Sequence, residues 1–224
     1  MKIIFDIETV RAFATLEEAP EQFQAAWEYT CKSKFPDEEP AAAFLKSGNF
    51  YPEFGRILCI SAINDQTKKV VSFAHATDEL SILASFADYL GEYREELIGH
   101  AIKYFDIPYV VARMAAHEMK LPQSLRLYGV KPWESNVTDT HEVWKCGFYS
   151  TTNAGSLVAI CNCLGIESPK DEMSGGDVAD VFYNFADHGF ATQTDAVDAI
   201  AVYCEKDVAA TAKVYNHMKK VGMI

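Results

Sequence analysis

The chain opens with Met1-Lys2-Ile3-Ile4-Phe5-Asp6-Ile7-Glu8-Thr9-Val10, an apolar run that ends in two acids one residue apart. The apolar and β-branched residues predict a buried strand over residues 2–7. Because side chains alternate between the two faces of a strand, the carboxylates of Asp6 and Glu8 leave the same face. Two like charges this close raise each other's pKa, and a hard divalent cation such as Mg²⁺ relieves the repulsion. The opening stretch therefore predicts part of a metal site whose other ligands come from elsewhere in the chain.

Length and composition indicate one globular domain of ordinary size. The 224 residues are 49% hydrophobic, which is enough to build a sizeable core. The apolar runs are too short to span a bilayer, and no secretory signal opens the chain. We therefore predict a single domain over residues 1–224 without a membrane segment.

The cysteines are scattered, without the spacing of a disulfide framework or a CxxC motif. Free thiols in a chain that lacks an export signal are typical of the reducing cytoplasm, which is the location we predict. No second Cys/His pair lies at ligand spacing, which argues against zinc. The six residues are Cys31, Cys59, Cys146, Cys161, Cys163 and Cys204.

The charge balance restricts the nucleic acids that the chain could hold. It has 32 acidic and 20 basic residues, for a formal net charge of −12. Tight, processive binding of a long duplex usually needs a basic face. A nuclease that holds only a few terminal nucleotides through metal ions is compatible with this charge.

Hydrophobic periodicity predicts strands first and helices later, with α/β alternation between them. The predicted strands cover residues 2–7, 56–64, 69–74, 96–100 and 137–143, with a hairpin turn at 64–67. The predicted helices cover residues 16–29, 41–46, 78–93, 108–119, 154–164, 178–188 and 195–221. This order indicates an α/β fold with a central mixed sheet flanked by helices and a helical C-terminal third.

A second acidic position follows the predicted strand at 96–100. The segment Gly99-His100-Ala101-Ile102-Lys103-Tyr104-Phe105-Asp106-Ile107-Pro108 places Asp106 at or just before a helix start, where Pro108 suits the first turn. Taken alone, Asp106 is explained by helix capping. Phe105 is either a core residue or a face on which a nucleobase stacks.

A third position lies in the last long helix, in Tyr203-Cys204-Glu205-Lys206-Asp207. Residues four apart share a helix face, so the phenol of Tyr203 and the carboxylate of Asp207 point the same way. Taken alone, this is an ordinary amphipathic helix with Tyr203 half-buried. We expect Glu205 and Lys206 to face solvent.

The combination of the three positions resembles the DEDD superfamily of 3′–5′ exonucleases, whose fold is ribonuclease H-like (DnaQ-like). Phe-Asp-Ile-Glu-Thr at 5–9 is similar to the first motif, and Gly-His followed by Phe-Asp-Ile-Pro at 99–108 is similar to the second. Tyr203-x-x-x-Asp207 is similar to the third motif in its tyrosine form (DEDDy). The histidine form would need His where the chain has Val202.

Within this subclass the chain resembles predicted exonucleases related to the proofreading domain of B-family DNA polymerases. Pro169-Lys170, the segment 175–178 and Tyr-Cys-Glu-x-Asp-Val at 203–208 carry that resemblance. One position departs from the pattern, because the family usually has Asn after Gly-His and this chain has Ala101. The asparagine is not a metal ligand, so the departure concerns substrate positioning. His100 is interpreted as structural, since a general base would be redundant beside Tyr203.

The resemblance implies a two-metal exonuclease that uses Mg²⁺ or Mn²⁺. The metal ligands would be Asp6, Glu8, Asp106 and Asp207, and Tyr203 would orient the attacking water. Asp6 would bridge both ions. Thr9, through its backbone, and Phe105 would contact the terminal nucleotide. The substrate would be the 3′ end of a single strand, DNA rather than RNA, and the product a nucleoside 5′-monophosphate. A polymerase or repair partner would act in trans.

Three alternatives remain open at this stage: a non-catalytic nucleic-acid-binding module, a metal-dependent hydrolase of short oligonucleotides or small nucleotides, and a purely structural interaction protein. A purely structural interaction protein gives no reason for four acids to lie together.

Two further residues have simpler interpretations than a role in the site. Asp139 is read as a turn or strand-end aspartate rather than a fifth metal ligand, and Lys170 as a solvated lysine rather than a phosphate contact.

Overall fold

A computed structural model of the chain describes residues 1–131, 134–147, 155–167 and 173–224. Within these residues the strands are β1 Lys2–Arg11, β2 Gly55–Asn64, β3 Val70–Ala74, β4 Glu96–Gly99 and β5 Val137–Asp139. The helices are α1 Glu21–Lys34, α2 Pro40–Ser47, α3 Glu79–Leu90, α4 Asp106–Ala116, α5 Thr140–Trp144, α6 Leu157–Leu164, α7 Val178–Tyr183 and α8 Gln193–Lys220. Short 3-10 turns cover Gly48–Phe50 and Gln123–Leu125.

The strands form one mixed sheet with the order β3-β2-β1-β4-β5. β2 pairs antiparallel with both β1 and β3, whereas β4 and β5 run parallel to β1. β1 is therefore the central strand, paired on both sides. The predicted α/β fold with a mixed sheet flanked by helices is confirmed, as is the hairpin between β2 and β3.

The two faces of β1 enter two different cores. Ile3, Phe5 and Ile7 pack with α3 and α4 in one apolar cluster, while Ile4 packs beneath α8 with Val208 and Tyr215. The alternation places the even-numbered residues of β1 on the face covered by α8. Asp6 and Glu8 belong to that set, so the prediction that they share a face is confirmed.

The connection from β1 to β2 is a long insertion with an aromatic core of its own. Trp27 of α1 and Phe44 of α2 are fully buried and pack against Phe54 just before β2. The Trp27 indole N–H donates to the carbonyl of Pro40 at 2.7 Å, which joins α1 to the start of α2. The insertion therefore has an apolar cluster distinct from the two cores at the sheet.

Several predicted boundaries differ from the structure for identifiable reasons. The first helix begins at Glu21, after Pro20, and continues to Lys34 rather than covering 16–29. The strand predicted at 137–143 is wrong beyond Asp139, because the Asp139 carboxylate accepts a hydrogen bond from the His141 N–H and caps α5. The helix predicted at 178–188 ends at Tyr183, and turns follow. Ala154 lies outside the described residues, and α6 begins at Leu157 with Ser156 as its cap.

The loop from β4 to α4 is held by one buried aspartate at the end of β5. The Asp139 carboxylate accepts hydrogen bonds from the backbone N–H groups of Ala101 at 2.9 Å and Lys103 at 3.2 Å. Only 1% of Asp139 is exposed. Asp139 therefore fixes the loop that leads to Asp106, which agrees with its interpretation as a strand-end aspartate.

Within that loop Ala101 has a left-handed backbone conformation, with φ of 59°. Left-handed geometry costs an L-residue roughly 1–2 kcal/mol, and asparagine tolerates it better than alanine. This strain gives a backbone reason for the asparagine usual at this position in the family that the sequence resembles.

We predict that Ala101→Asn raises the free energy of unfolding by about 0.5 to 1 kcal/mol, because it relieves the left-handed strain. Ala101→Val should lower it by more than about 1 kcal/mol, because a β-branched residue is least tolerant of positive φ. Urea unfolding of the three proteins measures both changes. Equal stabilities would show that the loop carries no such strain.

A buried ion pair joins α3, α4 and β2. Glu79 accepts hydrogen bonds from Arg113 Nη2 at 2.7 Å, from His117 Nε2 at 2.8 Å and from the Ile57 N–H at 2.7 Å. Burial raises the pKa of Glu79, but the hydrogen bonds from Arg113, His117 and Ile57 outweigh it and the pKa is lowered. The carboxylate is therefore charged and depends on Arg113 for compensation.

We predict that Arg113→Ala lowers the free energy of unfolding by about 3 kcal/mol, because the buried Glu79 charge loses its main partner. Lys46→Ala is the matched control, since Lys46 pairs with Glu38 at 2.9 Å on the surface and should cost less than about 1 kcal/mol. Chemical denaturation compares the two variants with the parent chain. Similar small losses in both would contradict the importance of the buried pair.

Candidate active site

Asp6 and Glu8 lie on the face of β1 that α8 covers. Asp6 is opposite Ser61 of β2 and Glu8 is opposite Cys59, and the register shifts between Glu8 and Thr9. Glu8 is 6% exposed, whereas Asp6 is half-buried. Both carboxylates are therefore held inside the protein next to the point where the β1–β2 ladder becomes irregular.

Asp106 reaches the same place from the other side of β1. It is the first residue of α4 and is buried, and its Oδ1 accepts a hydrogen bond from the Ile7 N–H at 3.1 Å. β4 pairs with β1 only as far as Ile4, so it leaves this N–H of the central strand without a strand partner. The side chain of Asp106 takes the place of β4 there and bonds to Ile7, the residue between Asp6 and Glu8. Its charge therefore acts on both acids.

Tyr203 and Asp207 approach from α8. Their side chains are half-buried and hydrogen-bonded to each other, as residues four apart on one helix face can be. The charge of Asp207 acts on both Asp6 and Glu8. The structure thus brings together all five residues that the sequence singled out, Asp6, Glu8, Asp106, Tyr203 and Asp207, from three distant segments.

Burial and mutual repulsion shift the protonation of this cluster. Burial first, then the charges of Asp106, Glu8 and Asp207, hold the pKa of Asp6 well above its usual range. The pKa of Glu8 is raised in the same way, by burial and then by Asp207. Burial raises the pKa of Asp106 to about 7, although its hydrogen bond from Ile7 opposes the change. Asp6, Glu8 and Asp106 therefore tend to retain protons, and the charge of Asp207 adds to that tendency at Asp6 and Glu8.

The donor set fits divalent cations that prefer oxygen ligands. Four carboxylates are available, and oxygen atoms of Asp6 and Glu8 lie within 4.8 Å of each other and of the Cys204 sulfur. A divalent ion takes 6–8 oxygen ligands in the case of Ca²⁺, or an octahedral set completed by water in the case of Mg²⁺. Such ions would replace the protons that Asp6, Glu8 and Asp106 retain because their pKa values are raised.

The pKa of Tyr203 is raised above its ordinary value, first by burial and then by the charges of Asp207 and Glu8. The phenol is therefore neutral at physiological pH. A neutral hydroxyl beside a carboxylate cluster can donate one hydrogen bond and accept another.

His100 belongs to the support of the loop rather than to the cluster. Its Nδ1 lies 3.0 Å from Oγ1 of Thr140, and its ring packs edge-on against that of His141. Burial lowers its pKa to about 4, so the ring is neutral. These contacts agree with its interpretation as a structural residue.

The two residues predicted to contact substrate have different surroundings. The Thr9 hydroxyl is buried and donates to the Asn49 carbonyl at 2.8 Å, which leaves only its backbone for a ligand. Phe105 is half-buried and packs against Tyr109, with ring centroids 5.4 Å apart. Its ring also meets that of Phe50, at 6.3 Å, and Phe50 is 44% exposed. Sequence reasoning missed Phe50, which no motif marks.

Two other predictions concern residues near the site. The prediction that Glu205 faces solvent is wrong, because β3 lies against this part of α8. The Oε1 atom of Glu205 accepts a hydrogen bond from the Ser72 hydroxyl at 2.7 Å. Pro169 and Lys170 lie outside the described residues.

The fold is similar to that of a solved protein structure. The structure is similar to that of a family B DNA polymerase from the hyperthermophilic archaeon Pyrobaculum calidifontis, with a TM-score of 0.61, 14% sequence identity and 97% of this chain covered. The chain spans only 24% of the polymerase's length. At this identity the likeness shows the fold alone. A comparison with curated proteins gives no match.

A match to a family model identifies the family of the chain. The model of the RNase H superfamily matches residues 48–219, from the turn before β2 to the end of α8. The match covers well over half of the sequence and includes the segments of Asp106, Tyr203 and Asp207. This chain belongs to the RNase H superfamily.

Proposed function

We propose that the chain is a metal-dependent 3′–5′ exonuclease of the DEDDy type, formed by a single domain over residues 1–224. One observation carries the proposal: four carboxylates and a tyrosine from β1, α4 and α8 meet at one buried place. Membership of the RNase H superfamily and the polymerase-like fold support a nuclease. The direction of cleavage, the metals and the role of each residue are our inference.

Two Mg²⁺ or Mn²⁺ ions fit the cluster in this account. Asp6, between the other acids, would bridge both ions, with Glu8 and Asp207 on one ion and Asp106 on the other. When bound, such ions would supply activation of a water molecule and stabilisation of the departing oxygen of a phosphodiester. The four side chains supply the negative charge that holds the ions, and the surrounding apolar residues keep the carboxylates from relaxing into solvent.

Tyr203 positions the attacking water in this account. Its hydroxyl is held by Asp207 and stays neutral, so it can accept or donate a hydrogen bond without carrying a charge. Holding a nucleophile in line with its target removes part of the entropic barrier. The role requires the hydroxyl group and not the ring alone.

The substrate we propose is the 3′ end of a single strand, with DNA preferred to RNA, released as nucleoside 5′-monophosphates. The half-buried ring of Phe105 and the exposed ring of Phe50 offer stacking surfaces for a terminal base. The net charge of −12 indicates that the chain binds only a few nucleotides of its substrate at a time. A polymerase or repair protein would act in trans as the partner.

The same negative charge favours one second candidate, a hydrolase of short oligonucleotides or small nucleotides. An exonuclease should degrade oligonucleotides of about two, five and twenty residues with similar efficiency per end, whereas a hydrolase of short oligonucleotides should not degrade the longest of the three.

Among the described helices, none is long and apolar enough to cross a membrane.

We predict that the purified chain with Mg²⁺ or Mn²⁺ shortens a 5′-labelled single-stranded oligonucleotide one nucleotide at a time from its 3′ end. Asp6→Ala should reduce the rate to background, because the proposed bridging ligand is lost. Tyr203→Phe should reduce it by about a hundredfold, because the water loses its orienting hydroxyl. Gel analysis of matched DNA and RNA substrates measures rate, direction and preference.

Asp198→Ala serves as the control, since Asp198 is an exposed acid on the same helix α8. It should keep the parent rate. An Asp6→Ala protein as active as the parent chain would refute the mechanism, and degradation from the 5′ end would refute the direction.

We also predict that metal binding and pH act on stability through the carboxylates. The raised pKa of Asp106 means that its contribution to stability is present at acid pH and is lost as pH rises through about 7. The metal-free protein should therefore be less stable at about pH 8 than at about pH 6, and Mg²⁺ or Mn²⁺ should raise its Tm more at the higher pH. Scanning calorimetry with and without chelator measures this.

Asp106→Asn should weaken the pH dependence of the metal-free protein near pH 7, since an amide does not titrate, while Asp6 and Glu8 still do. Asp198→Ala again provides the comparison, because an exposed acid should leave the profile unchanged. A metal-induced shift in Tm that is equally large at both pH values would show that the ions do not compete with protons at these carboxylates.

A further inference from the structure

The thiol of Cys204 lies directly against Asp6. Cys204 follows Tyr203 on α8 and is fully buried. Its Sγ donates to the backbone carbonyl of Asp6 at 3.5 Å and to Oδ2 of the same residue at 3.6 Å. One side chain of α8 therefore restrains both the main chain and the carboxylate of Asp6.

A second thiol lies behind the first. Cys59 is fully buried on β2, opposite Glu8, and packs with Cys204 in one small apolar cluster. Cys204 thus contacts the strand that carries Asp6 and Glu8 and also the strand next to it.

The contact continues to the edge of the sheet through polar side chains. Cys59 Sγ lies 3.6 Å from the Ser61 hydroxyl, which lies 2.8 Å from the Ser72 hydroxyl of β3. Ser72 in turn donates to Glu205, the residue after Cys204. The chain of contacts leaves α8 at Cys204 and returns to it at Glu205, so the helix is fastened to three strands at the level of Asp6.

We propose that Cys204 is a positioning residue that fixes the orientation of the Asp6 carboxylate for the metal pair. The inference rests on the proposed function, in which Asp6 bridges both ions. A carboxylate that must serve two cations needs both of its oxygens correctly directed, and its position is disfavoured by repulsion from Glu8, Asp106 and Asp207. The thiol contacts Oδ2 and the carbonyl of the same residue, which disfavours turning of the side chain away from its neighbours.

A thiol is suited to this position because it is a weak donor of moderate size. Both Asp6 atoms that the sulfur contacts are acceptors, so the thiol acts there as an S–H donor. A protonated thiol adds no negative charge to a place that already holds four acids. The sulfur therefore supports the cluster without joining it as a ligand.

The test compares Cys204→Ala, which removes the donor, with Cys204→Ser, which keeps one. Cys31→Ala is the matched control, because the Cys31 thiol is also buried and donates to backbone carbonyls, those of Phe35 and Glu38 at 3.8 Å, in the aromatic cluster of the insertion. Two quantities are measured for each variant: the Kd for Mn²⁺ by titration calorimetry and the Mn²⁺ concentration that gives half-maximal nuclease activity. The Tm of each metal-free protein is also measured, because a lower Tm reveals a variant whose packing is damaged.

We expect Cys204→Ala to raise the Kd for Mn²⁺ by about tenfold or more, the usual effect of removing a group that orients a metal ligand. Cys204→Ser should recover most of the affinity. Cys31→Ala should lower Tm without changing the Kd. An unchanged Kd in Cys204→Ala, a loss in Cys204→Ser as large as in Cys204→Ala, or an equal loss in Cys31→Ala would overturn the proposal.

The calorimetric result separates this inference from the proposed function. If the parent chain binds Mn²⁺ but degrades no oligonucleotide, the exonuclease proposal fails while the effect of Cys204 on metal affinity is still measured. If the parent chain binds no divalent ion, both fail together. If activity is present and the affinity does not depend on residue 204, the positioning role alone is refuted.

Discussion

The close placement of four wholly or partly buried carboxylates is the constraint on which the rest of this structure depends. Burial, and then the charges of neighbouring acids, raise the pKa of Asp6 and of Glu8. Burial raises the pKa of Asp106. Each acid is held by an element that is fixed elsewhere. A divalent cation with oxygen ligands would neutralise part of this negative charge.

The fold provides the necessary rigidity through contacts remote from the acids. β1 is central in the sheet and buries Ile3, Phe5 and Ile7 on one face and Ile4 on the other. Asp139 fastens the loop that leads to Asp106, and the Glu79–Arg113 pair joins α4 to α3. Burial of apolar residues on both faces of β1 therefore provides the free energy that offsets the repulsion.

Sequence patterns were sufficient for features that depend on local periodicity. Alternation along β1 predicted the shared face of Asp6 and Glu8, and four-residue spacing on α8 predicted that Tyr203 and Asp207 point the same way. Local periodicity did not predict features that depend on side-chain hydrogen bonds or on packing between elements. Asp139 ends its strand because its carboxylate caps α5. Glu205 is engaged because β3 lies against α8, and Cys204 meets Asp6 only after the helix packs on the sheet.

In the proposed function these side chains together hold a pair of divalent ions. A crystal structure grown with Mn²⁺ tests this directly, because anomalous scattering locates the metal. We expect two Mn²⁺ ions roughly 4 Å apart, both touching Asp6, with Glu8 and Asp207 on one ion and Asp106 beside the other. A map with no anomalous peak at Asp6, or with Asp106 or Asp207 turned away from β1, would contradict it.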